Sequence, residues 1–228
     1  MKIEKRLSPN FGDRENGGHI DKIILHYTGM KNTKQSLERM CSPNSAVSAH
    51  YLIGEYGKIY QIVKEKNRAW HAGESYWAGQ NDINSHSIGI EIQNPGHEWG
   101  YKKFSQRQMD SVVSIATDII QRRNIPNRNV LGHSDISPGR KQDPGMLFNW
   151  QWLSENGVGF WPKVGNLRET KFPKTFELRA QLNSIGYNPS ISVRLVLLAF
   201  QRHYRPKKID GLLDSETASL IHCFTKTA

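Results

Sequence analysis

Residues 23–29 read Ile23-Ile24-Leu25-His26-Tyr27-Thr28-Gly29, a short apolar run that ends in a glycine. Apolar and β-branched residues in a run of this length are typical of a buried strand. Two further runs of the same kind, residues 87–93 and 130–133, lie before and after a strongly amphipathic segment at 105–123. Strands and helices therefore alternate, which predicts an α/β fold with helices flanking a mixed central sheet.

The segment 105–123 is the clearest predicted helix. Its apolar residues recur at intervals of three and four and form one continuous stripe: Met109, Val112, Val113, Ala116, Ile119 and Ile120. Ser105 and Gln108 have the spacing of a capping box at its start. Shorter patterns predict the neighbouring elements: a helix at 33–40, a hairpin of strands 47–53 and 58–63, and a helix at 147–155.

The composition changes near residue 163, where Pro, Gly, Asn and charged residues indicate a linker. Beyond it, amphipathic segments predict three short helices, at 175–185, 192–204 and 215–224. We therefore predict a large domain at 1–165, a linker at 166–174 and a small three-helix domain at 175–228. A unit of about 55 residues is marginal by itself, so we expect the three helices to pack against the first domain.

Composition excludes some partners. The chain has 228 residues, 31 Lys and Arg against 21 Asp and Glu, and a formal net charge of +10. A basic surface attracts polyanions, but no basic helix carries interleaved aromatic residues, so we expect no nucleic-acid partner. The chain contains no run of about 18 apolar residues, so no membrane span is predicted. The charged start does not resemble a signal peptide, which favours the cytoplasm, or the periplasm if an export segment preceded this sequence.

Three candidate metal ligands lie where predicted strands end. His26 closes the first strand, His133 closes the last, and Asp143 follows in a loop that holds two prolines and two glycines. Imidazole and carboxylate are zinc ligands, and a catalytic zinc keeps three protein ligands and one open position, where it lowers the pKa of water. The chain has nine histidines, so from spacing alone an ordinary core or surface role for these residues stays open.

Four stretches occur in one order: Ile24-Leu25-His26-Tyr27-Thr28, Val47-Ser48-Ala49-His50-Tyr51-Leu52-Ile53, Ser87-Ile88-Gly89-Ile90-Glu91 and Gly132-His133-Ser134-Asp135-Ile136-Ser137-Pro138-Gly139-Arg140-Lys141-Gln142-Asp143-Pro144-Gly145. With them the chain resembles the N-acetylmuramoyl-L-alanine amidase type 2 family, relatives of the peptidoglycan recognition proteins, over roughly residues 18–155. The stretches 69–73 and 75–77 most resemble its bacterial periplasmic amidase D group. The tail resembles a three-helix peptidoglycan-binding domain, although Asp214 replaces the usual glycine.

The resemblance implies a catalytic zinc ion (Zn²⁺) held by His26, His133 and Asp143. It also implies that Glu91 is the general base towards water and then protonates the leaving amine. Lys141 would steady the oxyanion of the tetrahedral intermediate. A solvent-facing role for Glu91, on an alternating strand, and for Lys141, in a loop, is the alternative for each.

Trp70, His71 and Asn94 are the candidate substrate-binding residues. A tryptophan face suits a sugar, but a core role for the tryptophans is an equal alternative, and His71 also fits an ordinary surface histidine. We expect His50 to be structural, and Asp135 to orient its loop rather than to bind metal.

The implied activity is hydrolysis of the amide between N-acetylmuramic acid, or its anhydro form, and L-alanine, in peptidoglycan or muropeptides, by a monomeric enzyme. Ala49 stands where some relatives have a tyrosine, and Asp143 where some have cysteine, and both point to the bacterial branch. The alternative is a non-catalytic peptidoglycan-binding protein, which would be expected to lack the third ligand. A nucleic-acid-binding protein is a more distant alternative.

Overall fold

The computed structural model describes residues 2–163 and 174–226. Its strands are β1 (Ile3–Lys5), β2 (Phe11–Gly12), β3 (Lys22–Tyr27), β4 (Tyr51–Ile53), β5 (Ile59–Gln61), β6 (Arg68–Ala69), β7 (Ser87–Ile92) and β8 (Val130–Gly132). Its helices are α1 (Thr33–Cys41), α2 (Ile83–His86), α3 (Gly96–Trp99), α4 (Gln106–Arg123), α5 (His133–Ile136), α6 (Trp150–Glu155), α7 (Thr175–Ile185), α8 (Val193–Tyr204) and α9 (Ser215–Lys226). None of these helices is both long enough and apolar enough to cross a membrane.

Six strands form one mixed sheet in the order β1-β5-β4-β7-β3-β8. β3 is parallel to β7 and β8, and β4 is parallel to β7 but antiparallel to β5. The register pairs His26 with Glu91, and Leu25 with Gly132. Because parallel strands end at the same edge of a sheet, His26, Glu91 and the residue after Gly132, His133, begin close together. The predicted mixed α/β fold is confirmed.

The alternation of side chains along β3 divides the interior between two cores. Ile23 and Leu25 lie in a cluster with α4, whereas Ile24 lies in a second cluster with the C-terminal helices. The α4 side chains of the first cluster are Met109, Val112, Ile115, Ala116 and Ile119. The predicted capping box is present, since Gln108 N–H donates to Ser105 Oγ at 3.3 Å and Ser105 N–H donates to Gln108 Oε1 at 3.0 Å.

The C-terminal helices begin and end close to the predicted residues. They share their cluster with the sheet and α5, through Ile24, Leu131 and Ile136. The expected packing of this unit against the first part of the chain is therefore confirmed. The domain boundaries themselves stay a prediction, and the predicted linker 166–174 lies, apart from Lys174, outside the described residues.

Several elements differ from the sequence-based expectation. The hairpin strands are shorter than predicted, because Ile62 and Val63 both donate to the carbonyl of His50, and this bulge ends the ladder. Helix α6 was predicted to begin at 147 but begins at Trp150. Asn149 caps this start, because its side chain accepts from the N–H of Trp152 at 3.1 Å. Strand β1 and the small antiparallel pair β2 and β6 were not predicted from the sequence.

Candidate metal centre and active-site cleft

Three donor atoms converge at the edge of the sheet where β3 and β8 end. Nδ1 of His26 lies 3.0 Å from Nδ1 of His133 and 3.0 Å from Oδ2 of Asp143, and the last two atoms are 3.1 Å apart. Donors about 2.0 to 2.1 Å from a tetrahedral zinc lie about 3.3 Å from one another. All three residues are buried, so the predicted ligands form a triangle that fits a small divalent cation.

The outer ring nitrogens determine which atoms face this cluster. Nε2 of His133 lies 2.9 Å from the carbonyl oxygen of Ala72, which only accepts, and 3.3 Å from the guanidinium of Arg140, which only donates. The shorter contact assigns the hydrogen to Nε2, so Nδ1 keeps its lone pair. Nε2 of His26 lies 3.1 Å from Nδ1 of His71, and Nε2 of His71 lies 3.3 Å from Oγ of Ser87. The Nε2–H groups of His26 and His133 can thus donate away from the cluster. The Nδ1 lone pairs of both histidines and the carboxylate of Asp143 then face one another around the position that a cation fits.

His71 occupies this position because β7 leaves room for it. A Cβ atom at Gly89 would lie 2.4 Å from Cγ of His71, so only glycine is tolerated there without rearrangement. Ile88, Ile90 and Ile92 point into the core on the opposite face. Gly89 and Glu91 therefore share the face of the sheet that carries the metal centre.

The protonation states suit a metal. Burial would raise the pKa of Asp143, but the imidazoles of His133 and His26 outweigh this effect and hold that pKa well below its usual range. Burial, followed by the facing ring of His133, lowers the pKa of His26 to about 4. At neutral pH the cluster thus contains a carboxylate and a neutral His26 imidazole, which are the forms that bind zinc.

Glu91 lies on the strand next to this cluster. Burial, assisted by the negative charge of Asp143, raises the pKa of Glu91 well above its usual value, while Lys141 acts in the opposite direction. Its Oε2 atom is buried and has no hydrogen-bond partner among the described residues. A carboxylate whose pKa is shifted upward is a stronger base, so it can take a proton from water and return it later in the reaction.

The loop between α5 and α6 is fixed by Arg140, a residue to which the sequence analysis gave no role. Its guanidinium donates to the carbonyl oxygens of Ala72 and Glu74, both at 2.6 Å, and to Oγ of Ser137 at 2.8 Å. The adjacent Lys141 is half-buried and lines the cleft. Ala72 and Glu74 are 68 and 66 positions away in sequence, so no local pattern could have revealed these two contacts.

A cleft of about 850 Å³ opens at the metal centre. Trp70 and His71 line it together with Glu91, His133 and Asp143. Among the described residues that line the cleft, four side chains are cationic: Lys31, Arg39, Arg140 and Lys141. The structure therefore brings two of the three predicted ligands, both predicted catalytic residues and two of the three predicted substrate-binding residues to one cavity. The third ligand, His26, lies 3.0 Å from the other two donor atoms.

Asn94, the third predicted substrate-binding residue, is placed differently. Its side chain is buried, donates to the carbonyl of Lys102 at 2.7 Å and accepts from the N–H of Gly96 at 3.1 Å. It supports the loop that follows β7, and its predicted contact with substrate is not tested by these hydrogen bonds. Trp99 in the same loop is exposed and lines the cleft, whereas Trp77 is buried in the core.

Two polar residues that were expected to be structural have internal partners. His50 is buried, and its Nδ1 accepts from the N–H of Gly89 at 3.0 Å. Asp135 is buried, and its Oδ2 accepts from the N–H of Gly132 at 2.7 Å. Neither side chain belongs to the converged donor set.

Two histidines and one aspartate as converged donors, with a half-buried glutamate on the adjacent strand, are the side chains that a metal-dependent hydrolase requires. The family model described as "N-acetylmuramoyl-L-alanine amidase" matches residues 16–146. The chain belongs to the N-acetylmuramoyl-L-alanine amidase family.

Individual relatives agree with this family. The chain is 36% identical to the N-acetylmuramoyl-L-alanine amidase AmiD of Escherichia coli, over 88% of this chain and 80% of AmiD. It is 32% identical to the 1,6-anhydro-N-acetylmuramyl-L-alanine amidase AmpD of Haemophilus influenzae, over 63% of this chain and 86% of AmpD.

Solved structures resemble the whole described fold. AmpDH3 from Pseudomonas aeruginosa matches with a TM-score of 0.85 and 32% identity, over 93% of this chain and 94% of that protein. AmiD from E. coli, in complex with anhydro-N-acetylmuramic acid-L-Ala-D-γ-Glu-L-Lys, matches with a TM-score of 0.82 and 31% identity, over 96% and 98% of the two chains.

Proposed function

We propose that this amidase uses zinc to hydrolyse the amide between the lactyl group of N-acetylmuramic acid, or its anhydro form, and L-alanine. The observation that carries the proposal is the half-buried Glu91, with its Oε2 atom buried, beside three converged candidate metal donors. The solved AmiD complex, whose substrate has an anhydro-N-acetylmuramic acid joined to L-Ala, supports this substrate class.

The donor set fits zinc. Two imidazoles and one carboxylate are the ligands of many catalytic zinc sites, and His26, His133 and Asp143 present one atom each. A zinc ion held there would polarise the scissile carbonyl group and acidify a water molecule. The remaining chemistry belongs to side chains of the protein.

Glu91 moves the proton. Its raised pKa allows the carboxylate to take a proton from the attacking water and then to deliver it to the nitrogen of L-alanine as the C–N bond breaks. Its Oε2 atom has no hydrogen-bond partner among the described residues and is therefore free to take part in this transfer. The amine leaves in its neutral form, and the carboxylate is regenerated.

Lys141 stabilises negative charge. Lys141 lines the cleft in the loop that leads to Asp143, and its positive charge acts to lower the pKa of Glu91. An ammonium placed near an oxyanion lowers the barrier to its formation. The cleft cations Lys31 and Arg39 suit a stem peptide, because such peptides carry free carboxylates.

The test is hydrolysis of purified muropeptides with and without the anhydro sugar, followed by mass spectrometry of the products. Wild-type protein should release free stem peptide, and Glu91→Gln should release almost none while it still binds zinc. Elemental analysis of the isolated protein would identify the metal, and light scattering would test the proposed monomer. If neither substrate is cleaved although both bind, the chain is a recognition protein instead.

A further inference from the structure

Asp135 is the point where the metal centre meets the C-terminal helices. It stands two residues after the ligand His133 in the short helix α5, and it is 1% exposed. Its Oδ2 atom accepts from the N–H of Gly132 at 2.7 Å. A change in the position of this carboxylate would therefore move the backbone on both sides of the ligand.

Both oxygens of Asp135 are bound by side chains of the C-terminal unit. The hydroxyl of Tyr187 donates to Oδ1 at 2.9 Å, and Nδ1 of His203 lies 2.7 Å from Oδ2. Tyr187 and His203 are themselves buried, at 1% and 2% exposure. With three donors, both oxygens of this buried carboxylate are hydrogen-bonded, and the loss of one donor weakens this pairing.

His203 is held firmly in its place. Its ring stacks between Trp150, with centroids 3.7 Å apart, and Tyr204, with centroids 3.9 Å apart. Trp150 also reaches Gly132, where an added Cβ would lie 3.3 Å from the indole ring. The base of the metal centre is thus closed by residues from α6 and α8.

A second contact lies further along the same loop. A Cβ atom at Gly139 would lie 2.8 Å from Cδ1 of Leu195 in α8, so Leu195 packs directly on the loop backbone. Gly139 has a φ of +82°, which favours glycine there. The segment that carries Lys141 and Asp143 therefore begins on a surface that the C-terminal unit provides.

We propose that the C-terminal helices are a positioning part of the active site, in which Tyr187 and His203 hold Asp135 and thereby fix the ligand His133 and its loop. Tyr187 and His203 are positioning residues, since they act through Asp135 and do not contact the donor atoms. The inference rests on the proposed metal site. It gives the C-terminal unit a role in the reaction in addition to any binding of the cell wall.

The experiment compares Tyr187→Phe and His203→Leu with wild type in the full-length protein. Zinc affinity is measured by competition with a chromophoric chelator, and ligand geometry by the visible absorption spectrum of the Co²⁺-loaded protein. We expect zinc affinity to fall by roughly tenfold, the lower end of the effect of residues that bond directly to a metal ligand, and the cobalt spectrum to change. With muropeptide substrate, kcat should fall while KM changes little.

Three variants serve as controls. Tyr204→Phe makes the same chemical change next to His203, but the Tyr204 hydroxyl makes no hydrogen bond to Asp135, so it should behave as wild type. His203→Asn keeps an N–H near the position of Nδ1 and should recover most of the lost affinity. Leu220→Ala creates a cavity in the core that α9 shares with the other C-terminal helices. It should lower the melting temperature but leave zinc affinity and the cobalt spectrum unchanged.

The outcomes separate the possible roles. If Tyr187→Phe and His203→Leu lower only the melting temperature, as Leu220→Ala does, the C-terminal unit stabilises the fold and the proposal is overturned. If wild-type protein binds zinc but cleaves no muropeptide, the proposed function fails, while the affinity and spectral comparison still decides the positioning role.

Discussion

Nε2 of His26 lies 3.1 Å from Nδ1 of His71. This contact fixes the His26 tautomer that carries its hydrogen on Nε2. The lone pair of Nδ1 then faces His133 and Asp143. Loss of such a partner commonly reduces metal affinity about 10- to 100-fold. We expect His71→Leu to show a loss of this size in chelator competition, and His71→Asn, whose amide oxygen can accept near the position of Nδ1, to show a smaller one. Equal affinities for Leu and Asn variants would contradict a tautomer-fixing role.

Glu91 is predicted to reduce stability while it supports catalysis. Its raised pKa means that the folded state resists ionisation of this carboxyl, so stability from this residue is lost as the pH rises above the unfolded value of about 4.3. Glu91→Gln should therefore melt at the same or a higher temperature than wild type at pH 7 in the metal-free state. Its kcat should fall by about 10²- to 10⁴-fold. A variant that is fully active would remove Glu91 from the mechanism.

Lys141 is predicted to act on the transition state rather than on binding. Lys141→Met should lower kcat by roughly 10²-fold or more, with a small change in KM, because the ammonium is needed only when the oxyanion forms. Lys103→Met is a matched control, since Lys103 is exposed and does not line the cleft. A rise in KM at unchanged kcat would instead assign Lys141 to substrate binding.

A buried carboxylate outside the site should make the fold sensitive to acid. Glu65 accepts from Arg122 at 2.8 Å, from Arg123 at 2.9 Å and from the Tyr51 hydroxyl at 2.8 Å. Burial opposes ionisation, but these partners lower the pKa of Glu65 to about 2. The stabilisation is therefore complete above the unfolded pKa of about 4.3 and is lost as the pH falls towards 2.

Glu65→Gln should accordingly unfold about 2 to 3 kcal/mol more easily than wild type at pH 7. The difference should shrink between pH 4.5 and 2, as measured by urea unfolding at several pH values. Asp118→Asn is the control, because Asp118 pairs with Arg122 on the exposed surface of α4 and such pairs contribute about 0 to 1 kcal/mol. A difference that does not depend on pH would contradict the assignment.

The sequence predicted the elements whose patterns are local. The apolar stripe and capping box of α4, the run that ends at His26 and the three C-terminal helices were all found where expected. The ligand set was predicted from the resemblance carried by the stretches around His26 and at 132–145. In the structure the two histidines come together because β3 and β8 are parallel and end at the same edge of the sheet. The length of the hairpin could not be predicted, since it is ended by a bulge at Ile62 and Val63.

Residues that act through distant partners were beyond local reasoning. Arg140 binds the carbonyls of Ala72 and Glu74, and Asp135 binds Tyr187, more than 50 positions away. These contacts depend on how the loop after α5 lies against other parts of the chain. His71 was placed at the cleft by its motif, but its partnership with His26 depends on the space that Gly89 leaves on a neighbouring strand.

The most direct test of the central claim is a zinc titration of the metal-free protein, with release of stem peptide from an anhydro-muropeptide as the readout. We predict no release without metal, a linear recovery that saturates at one equivalent of zinc, and no recovery at one equivalent in Asp143→Ala. Full activity in the thoroughly chelated wild-type protein, or equal recovery in Asp143→Ala, would contradict a zinc amidase with its metal at His26, His133 and Asp143.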